Sequence, residues 1–227
     1  VSAAMGLQNA LLENLERALT CASERERMEL LNVVIVGGGA TGVEVAGALS
    51  EMKKYIIPKD YPDLPSSLIN VYLVEAGPRV LSAMSPESSA HVEQYLREMG
   101  VNVLLNKMVT DYKDHRVMLK DGSSIATRTF IWVSGVAAQN VGNMPKESLG
   151  RGARIKVDAF NRVEGLEDVF CIGDQCIMEE GDPDWKGGHP QLAQVAIQQG
   201  RLLAKNLQRL EKGKDLKPFR YLNLGTM

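Results

Sequence analysis

A short β-branched run, Leu31-Asn32-Val33-Val34-Ile35-Val36, passes directly into Gly37-Gly38-Gly39-Ala40-Thr41-Gly42, and a helical pattern begins beyond it. A strand that turns through G-x-G-x-x-G into a helix leaves few folds open, because each glycine has a separate task. Gly37 permits the tight turn and Gly39 lets the backbone approach a pyrophosphate. Gly42 lets the helix pack against the sheet. The helix N-terminus then presents free N–H groups and a partial positive charge to phosphates. Residues Gly37, Gly38, Gly39, Ala40, Thr41 and Gly42 are therefore expected to hold a dinucleotide.

Glu75 closes the next apolar run, Ile69-Asn70-Val71-Tyr72-Leu73-Val74. An acid at that strand end accepts hydrogen bonds from ribose hydroxyls and repels a 2′-phosphate, which favours NADH over NADPH. It lies 33 residues after Gly42, more than the usual roughly 20. A loop marked by Pro58, Pro62 and Pro65 takes up the excess. Arg79, close by, is read as solvated.

The pattern elsewhere supports an α/β chain. Residues 7–31 read as one or two amphipathic helices, and the helix after the glycine loop is expected to reach about Tyr55. A helix over 87–99 stopped by Gly100 and a strand over 101–105 follow. Between Lys107 and Trp132 short alternating segments are broken at Lys113-Asp114 and Lys120-Asp121-Gly122, the signals of antiparallel hairpins. A core strand covers 129–133. Farther on, strands are expected at 155–157 and 169–172, and one long helix at 190–210. The fold class is α/β: a Rossmann-type parallel sheet with a small antiparallel β-meander, plus part of a second Rossmann domain.

Composition excludes several classes. The chain is 44 % hydrophobic and 24 % charged with a net charge of −2, which is ordinary for a globular protein and gives no basic surplus for nucleic acid. No apolar run approaches the roughly 18 residues of a spanning helix, and no secretory leader pattern is present. His91, His115 and His189 show no metal-ligand spacing, so no metal is assigned. Cys21, Cys171 and Cys176 are too few for a disulfide scaffold. Cys171 and Cys176 bracket Ile172-Gly173-Asp174-Gln175 without a helix N-terminus or basic neighbour in the sequence to activate a thiol, so unreactive, packed thiols are expected. Trp132 and Trp185 are read as packing residues.

In order along the chain, VVIVGGGATGVEVAGALSE, VYLVEAGPRVL, TFIWVSGV, VFCIGDQC and PQLAQVAIQQGRLLAKNL resemble the type II NADH:quinone oxidoreductases, of the flavoprotein superfamily with two dinucleotide-binding domains. The resemblance implies an NADH domain over 31–149, inserted into an FAD domain represented by 1–30 and 150–227. It also implies that the first flavin phosphate loop precedes residue 1 and membrane-docking helices follow residue 227. The chain is thus expected to be a fragment that does not retain FAD, from an enzyme lying peripherally on the cytoplasmic side of a membrane.

The same resemblance carries site residues. Gly173 and Asp174 match the second flavin motif, with Asp174 on the ribityl chain; a strand-terminal Gly-Asp is otherwise only a turn. Glu44 falls near nicotinamide and flavin, although an acid in the first helical turn is explained by the helix dipole alone. Gly135 and Val136 would line the nicotinamide pocket. Gln194 and Gln198, in Ala193-Gln194-Val195-Ala196-Ile197-Gln198, lie four apart on one helix face and fall at the flavin–quinone site. Some relatives have histidine where Ile197 stands, so no imidazole relays protons there. The implied reaction passes a hydride from NADH to FAD and electrons on to a quinone, without proton pumping. The expected partners are NADH, a quinone and a membrane surface, with a homodimer left open. The rival readings are a ferredoxin reductase or NADH oxidase, which the A-Q-x-A-x-Q segment disfavours, and a non-catalytic NADH-binding module.

Overall fold

A computed structural model describes residues 2–139 and 141–225. It separates into two compact units, Val1–Gly135 and Val136–Met227.

The first unit is built on a four-stranded parallel sheet, with β1 (Asn32–Val36) at its centre beside β2 (Asn70–Val74) and β7 (Thr129–Trp132), and β3 (Val101–Leu104) outside β2. Every residue of β1 is buried, as a central parallel strand requires. Its alternate side chains serve two cores. Val33 and Ile35 meet α3 (Ala40–Glu51) and α5 (Pro86–Glu98), with Leu7 and Leu11 of α1 (Ser2–Thr20) on the same side. Val34 and Val36 meet an antiparallel meander of β4 (Val109–Lys113), β5 (Arg116–Leu119) and β6 (Ser124–Ala126). The result is three layers: helices, parallel sheet, meander. The first hairpin turns at Asp114 and His115, both at positive φ, as a two-residue primed turn demands.

Residues 2–31 pack onto the parallel sheet of the first unit. Asn14 donates to Thr129 Oγ1 at 3.1 Å, Arg128 N donates to Glu29 O at 2.7 Å, and Leu15, Leu30 and Leu31 share a core with Ile57 and Ile69. α2 (Glu24–Leu31) is capped by Ser23.

The helix after the glycine loop runs farther than expected. α3 continues through a π-turn, Met52–Ile56, into α4 (Ile57–Asp60), so Pro58 lies inside helix rather than in a loop. Pro58 has no N–H to donate, and the wider turn before it resets the ladder.

The second unit has little regular structure besides α6 (Ala193–Glu211) and a two-stranded parallel pair, β8 (Ile155–Lys156) with β9 (Cys176–Ile177). No strand forms over 169–172: Phe170 makes a single bridge to Arg162. Asp168 and Gly173, at φ 56° and 69°, turn the chain away on both sides before a ladder can extend. Phe219 and Tyr221 complete this unit's core, with Ile155, Val157, Met178 and Val195. Among the described residues no helix is long and apolar enough to cross a membrane.

Candidate functional site

The chain runs outward from β1 to β2 to β3, then returns to β7 on the other side of β1. This order makes a crevice at the carboxyl ends of β1 and β7, where open α/β sheets take their ligands. Gly37 ends β1 there at φ 115°, and a Cβ on it would lie 2.9 Å from Ser134 Cα. Gly42 is still more restricted, since its Cβ would fall 1.8 Å from Gly37 O. By contrast, a Cβ on Gly39, the N-cap of α3, would meet nothing within 4 Å. Two glycines thus satisfy the fold, and the third keeps space open above the helix N-terminus.

Glu75 reaches this loop. Its Oε2 accepts from Gly38 N at 2.6 Å and its Oε1 from Gly77 N at 2.6 Å. A Cβ on Gly38 would lie 3.0 Å from Glu75 Cγ and Oε2, so any side chain there would displace the carboxylate. Each carboxylate oxygen keeps a lone pair for a hydroxyl. Ala40 and Thr41 are exposed in the first turn of α3. Arg79, half-buried, also holds the neighbouring loop, donating to Met84 O at 2.9 Å and Ser82 O at 2.7 Å.

Glu44 lies in the second turn of α3, not the first, so the dipole does not account for it. It lines a groove of about 610 Å³ between α3 and α5, with Val43, Ala48, His91 and Val92. Trp132 is not a packing residue: it is 55 % exposed at the end of β7, with its indole N–H on Ser134 O at 3.0 Å. Gly135 is exposed at φ 87°.

In the second unit Gly173, Asp174 and Gln175 form one 3-10 turn. Asp174 is exposed, and its main-chain carbonyl accepts from Gln191 Nε2 at 3.2 Å. Buried Gln199 sets the turn by accepting from Gly173 N at 2.7 Å. Val136 stands 67 % exposed at the start of this unit.

Gln194 and Gln198 come together on α6, but their first partners are main chain. Gln198 donates to Leu222 O at 2.8 Å and accepts from Leu222 N at 3.0 Å; Gln194 donates to Gly225 O at 3.0 Å and accepts from Leu224 N at 3.1 Å. Asn206 does the same for Lys217, at 2.8 and 3.0 Å, and Arg209 donates to Asp215 O. Residues 215–225 therefore run antiparallel to α6 as a strap. The spacing explains the fit: four helical residues rise about 6 Å, close to the roughly 6.7 Å of two extended residues. Each glutamine retains one N–H and one lone pair for another group.

Asp182, 1 % exposed, anchors the strap from the other side, accepting from Tyr221 N at 3.0 Å and pairing with His189 Nε2 at 3.1 Å. Burial alone would raise the Asp182 carboxyl. The N–H of Tyr221, His189 and the N–H of Asp184 outweigh burial and hold it below the ordinary carboxylate value. Asn206, Gln199, Asp182 and Arg209 were not singled out in the sequence. The one signal available was a polar side chain at 206, seven residues after Gln199 and so on the same buried helix face.

The profile of the pyridine nucleotide-disulphide oxidoreductases matches residues 4–200. The chain belongs to this family. Its curated relatives include the type II NADH:quinone oxidoreductase NdhA of Mycobacterium tuberculosis, 34 % identical over 99 % of the chain and 49 % of the relative. The type II NADH:quinone oxidoreductase of Haemophilus influenzae is also 34 % identical, over 99 % of the chain and 52 % of the relative. The chain thus spans about half the length of the curated relatives it matches. The NDH2 of Plasmodium falciparum, solved in complex with NADH, shares the fold at TM-score 0.71 and 24 % identity, over 79 % of this chain and 38 % of that one. A ferredoxin reductase from Rhodopseudomonas palustris shares it at TM-score 0.61 and 23 % identity, over 83 % and 43 %. A Rossmann-type α/β fold is therefore common to this family member and its solved neighbours.

Proposed function

We propose that this family member is the NADH-binding part, with an adjoining portion of the flavin-binding part, of a type II NADH:quinone oxidoreductase. The observation that carries the reading is the glycine loop at the β1–β7 crevice, open above Gly39 and closed below by Glu75. The relatives named as type II enzymes support it at the level of sequence.

In this reading the N–H groups of 37–42 bind the NADH pyrophosphate and Glu75 binds the adenosine ribose through its free lone pairs. Residues 31–149 act as the NADH domain, and 150–227 belong to the FAD domain. Gly135 and Val136 border the nicotinamide, and Glu44 lies toward the nicotinamide–flavin end. Gly173, at φ 69° and with a Cβ position 3.3 Å from Ala196 Cβ, makes the turn that presents Asp174, whose exposed carboxylate suits a chain of hydroxyls such as ribityl. FAD, when bound, supplies the redox chemistry that links a two-electron hydride donor to a quinone. Gln194 and Gln198 serve the quinone end by holding the strap and by offering their remaining amide N–H groups. The whole enzyme acts peripherally at a membrane surface, on its cytoplasmic side, without pumping protons.

The test uses the full-length flavoprotein. Anaerobic NADH should bleach the visible flavin absorption within the turnover time, and a water-soluble quinone should restore it. Flavin that stays oxidised under NADH, or a reduced flavin indifferent to quinone, contradicts the assignment.

A further inference from the structure

Ser50, near the end of α3, is 2 % exposed, and its Oγ has no hydrogen-bond partner among the described residues. A hydroxyl buried in that way is costly unless something else satisfies it. Ser50 lines a cavity of about 330 Å³ between the far ends of α3 and α5. The π-turn Met52–Ile56 begins two residues later, and such turns recur at functional sites. The cavity shares Glu51, Tyr95 and Met99 with the groove of about 610 Å³ described above, whose wall also holds Val43, Val92 and Leu96. Together they make one cleft, apolar along the groove and polar at the Ser50 end.

The polar end is rich in acceptors. Glu44 and Glu51 lie seven residues apart and so on one face of α3, and Glu98 faces them from α5. Neither Glu44 nor Glu51 has an ion-pair partner among the described residues. Lys54 lines the cavity too, but its ammonium is already held over the Tyr55 ring, 5.0 Å from the centroid. Tyr95 stands 65 % exposed in the wall common to both halves, with its ring unshared.

We propose that this cleft binds an organic ammonium ion with an apolar body, its head at Ser50, Glu51 and Glu98 and its body along the groove beside Tyr95. An ammonium only donates hydrogen bonds, which suits a set of oxygen acceptors. A tyrosine ring face attracts a cation, as Tyr55 already does for Lys54. The volume lies in the range of small-molecule sites. An anion would meet three carboxylates, and a neutral ligand would leave them unused. The cleft is separate from the nucleotide crevice: Ser50 lies ten residues beyond Ala40, about 15 Å along the helix axis. Its occupancy does not depend on NADH or flavin.

The test compares phenylbutylammonium, phenylbutanol and phenylbutyrate, which share one apolar body and differ in the head. Each is titrated into the folded chain by calorimetry and followed by amide chemical shifts. The ammonium should bind saturably, with shifts confined to residues 43–55 and 91–99, and should weaken in high salt. The alcohol should bind at least about fivefold more weakly, and the carboxylate not measurably. Glu51→Gln and Tyr95→Ala should each weaken the ammonium several-fold, while Glu93→Gln, on α5 outside the cleft, should not. Ser50→Ala should melt no lower than the parent, since its hydroxyl has no bond to lose, yet bind the ammonium more weakly. Equal affinity for the three probes, shifts outside the cleft, no binding of the ammonium, or an ammonium affinity unchanged by Glu51→Gln overturns the proposal. The comparison of the three probes needs no variant to fold.

Discussion

Gln198 pairs with Leu222 as one strand residue pairs with another, its amide donating to the Leu222 carbonyl at 2.8 Å and accepting from the Leu222 N–H at 3.0 Å. A helix side chain here does the work of a missing β-strand; Asn206 repeats it at Lys217, and Gln194 spans Leu224 N and Gly225 O. Replacing Gln198 with Leu leaves one N–H and one carbonyl without partners. Both groups are solvent-exposed and can turn to water, so the expected cost is about 0.5–1.5 kcal/mol per lost hydrogen bond, read as faster hydrogen exchange at residues 219–225 and a lower denaturant midpoint. In the full-length enzyme the same change should slow quinone reduction while NADH still bleaches the flavin at near its normal rate. Strap amides that exchange as before would remove the pairing from the account.

Two glycines in α3 predict opposite outcomes for one substitution. Gly42→Ala drives a methyl into Gly37 O, and overpacking of this kind costs about 1–3 kcal/mol or more. Gly47→Ala meets nothing within 4 Å in the same helix, so it should stabilise by roughly 0.5–1 kcal/mol through helix propensity. Thermal unfolding of the two variants checks the contrast. A neutral Gly42→Ala would mean that the loop is not packed as described.

Asp182 predicts an acid-sensitive strap. Its carboxyl is held below the ordinary value in the folded state, so its contribution is fully present above the unfolded value of about 3.9 and is lost as pH falls through the lower folded value. The strap should therefore loosen below about pH 4, with faster exchange at Tyr221 N–H. Asp182→Asn should cost about 1.5–3 kcal/mol, the range for a charge-assisted hydrogen bond, and should flatten that acid dependence. An acid profile unchanged by Asp182→Asn would contradict this.

Much of the first unit was legible because local rules agree there. The β-branched run, the three glycines, Gly100 at φ 84° and the hairpin turns each specify their own conformation. Pro58 misled because a π-turn, set by the backbone ladder rather than by composition, carries helix through it. The amphipathic pattern of residues 7–31 announces an apolar face but not the surface it covers. The second unit was poorly legible. Its order comes from side chains bonding main chain across many residues, as Asp182 does with Tyr221 and Gln199 with Gly173, and no periodicity records such pairings.

Glu75 sets nucleotide choice on this account. Its bidentate hold on Gly38 and Gly77 fixes a negative charge which, on the function proposed above, stands where a 2′-phosphate would lie. NADH should bind at least about tenfold more tightly than NADPH, or 1.4 kcal/mol, and Glu75→Gln should narrow the difference. A preference untouched by that change would take the role from Glu75.

The most direct test of the central claim is a calorimetric titration of the chain with NADH, run in parallel on Gly39→Val. Gly39 faces open space, so the variant should melt within a few degrees of the parent. The added side chain should fill the place of the pyrophosphate. The account predicts saturable NADH binding by the parent and affinity reduced by at least about tenfold in the folded variant. Equal affinity in both proteins, or no binding by the parent, would contradict it.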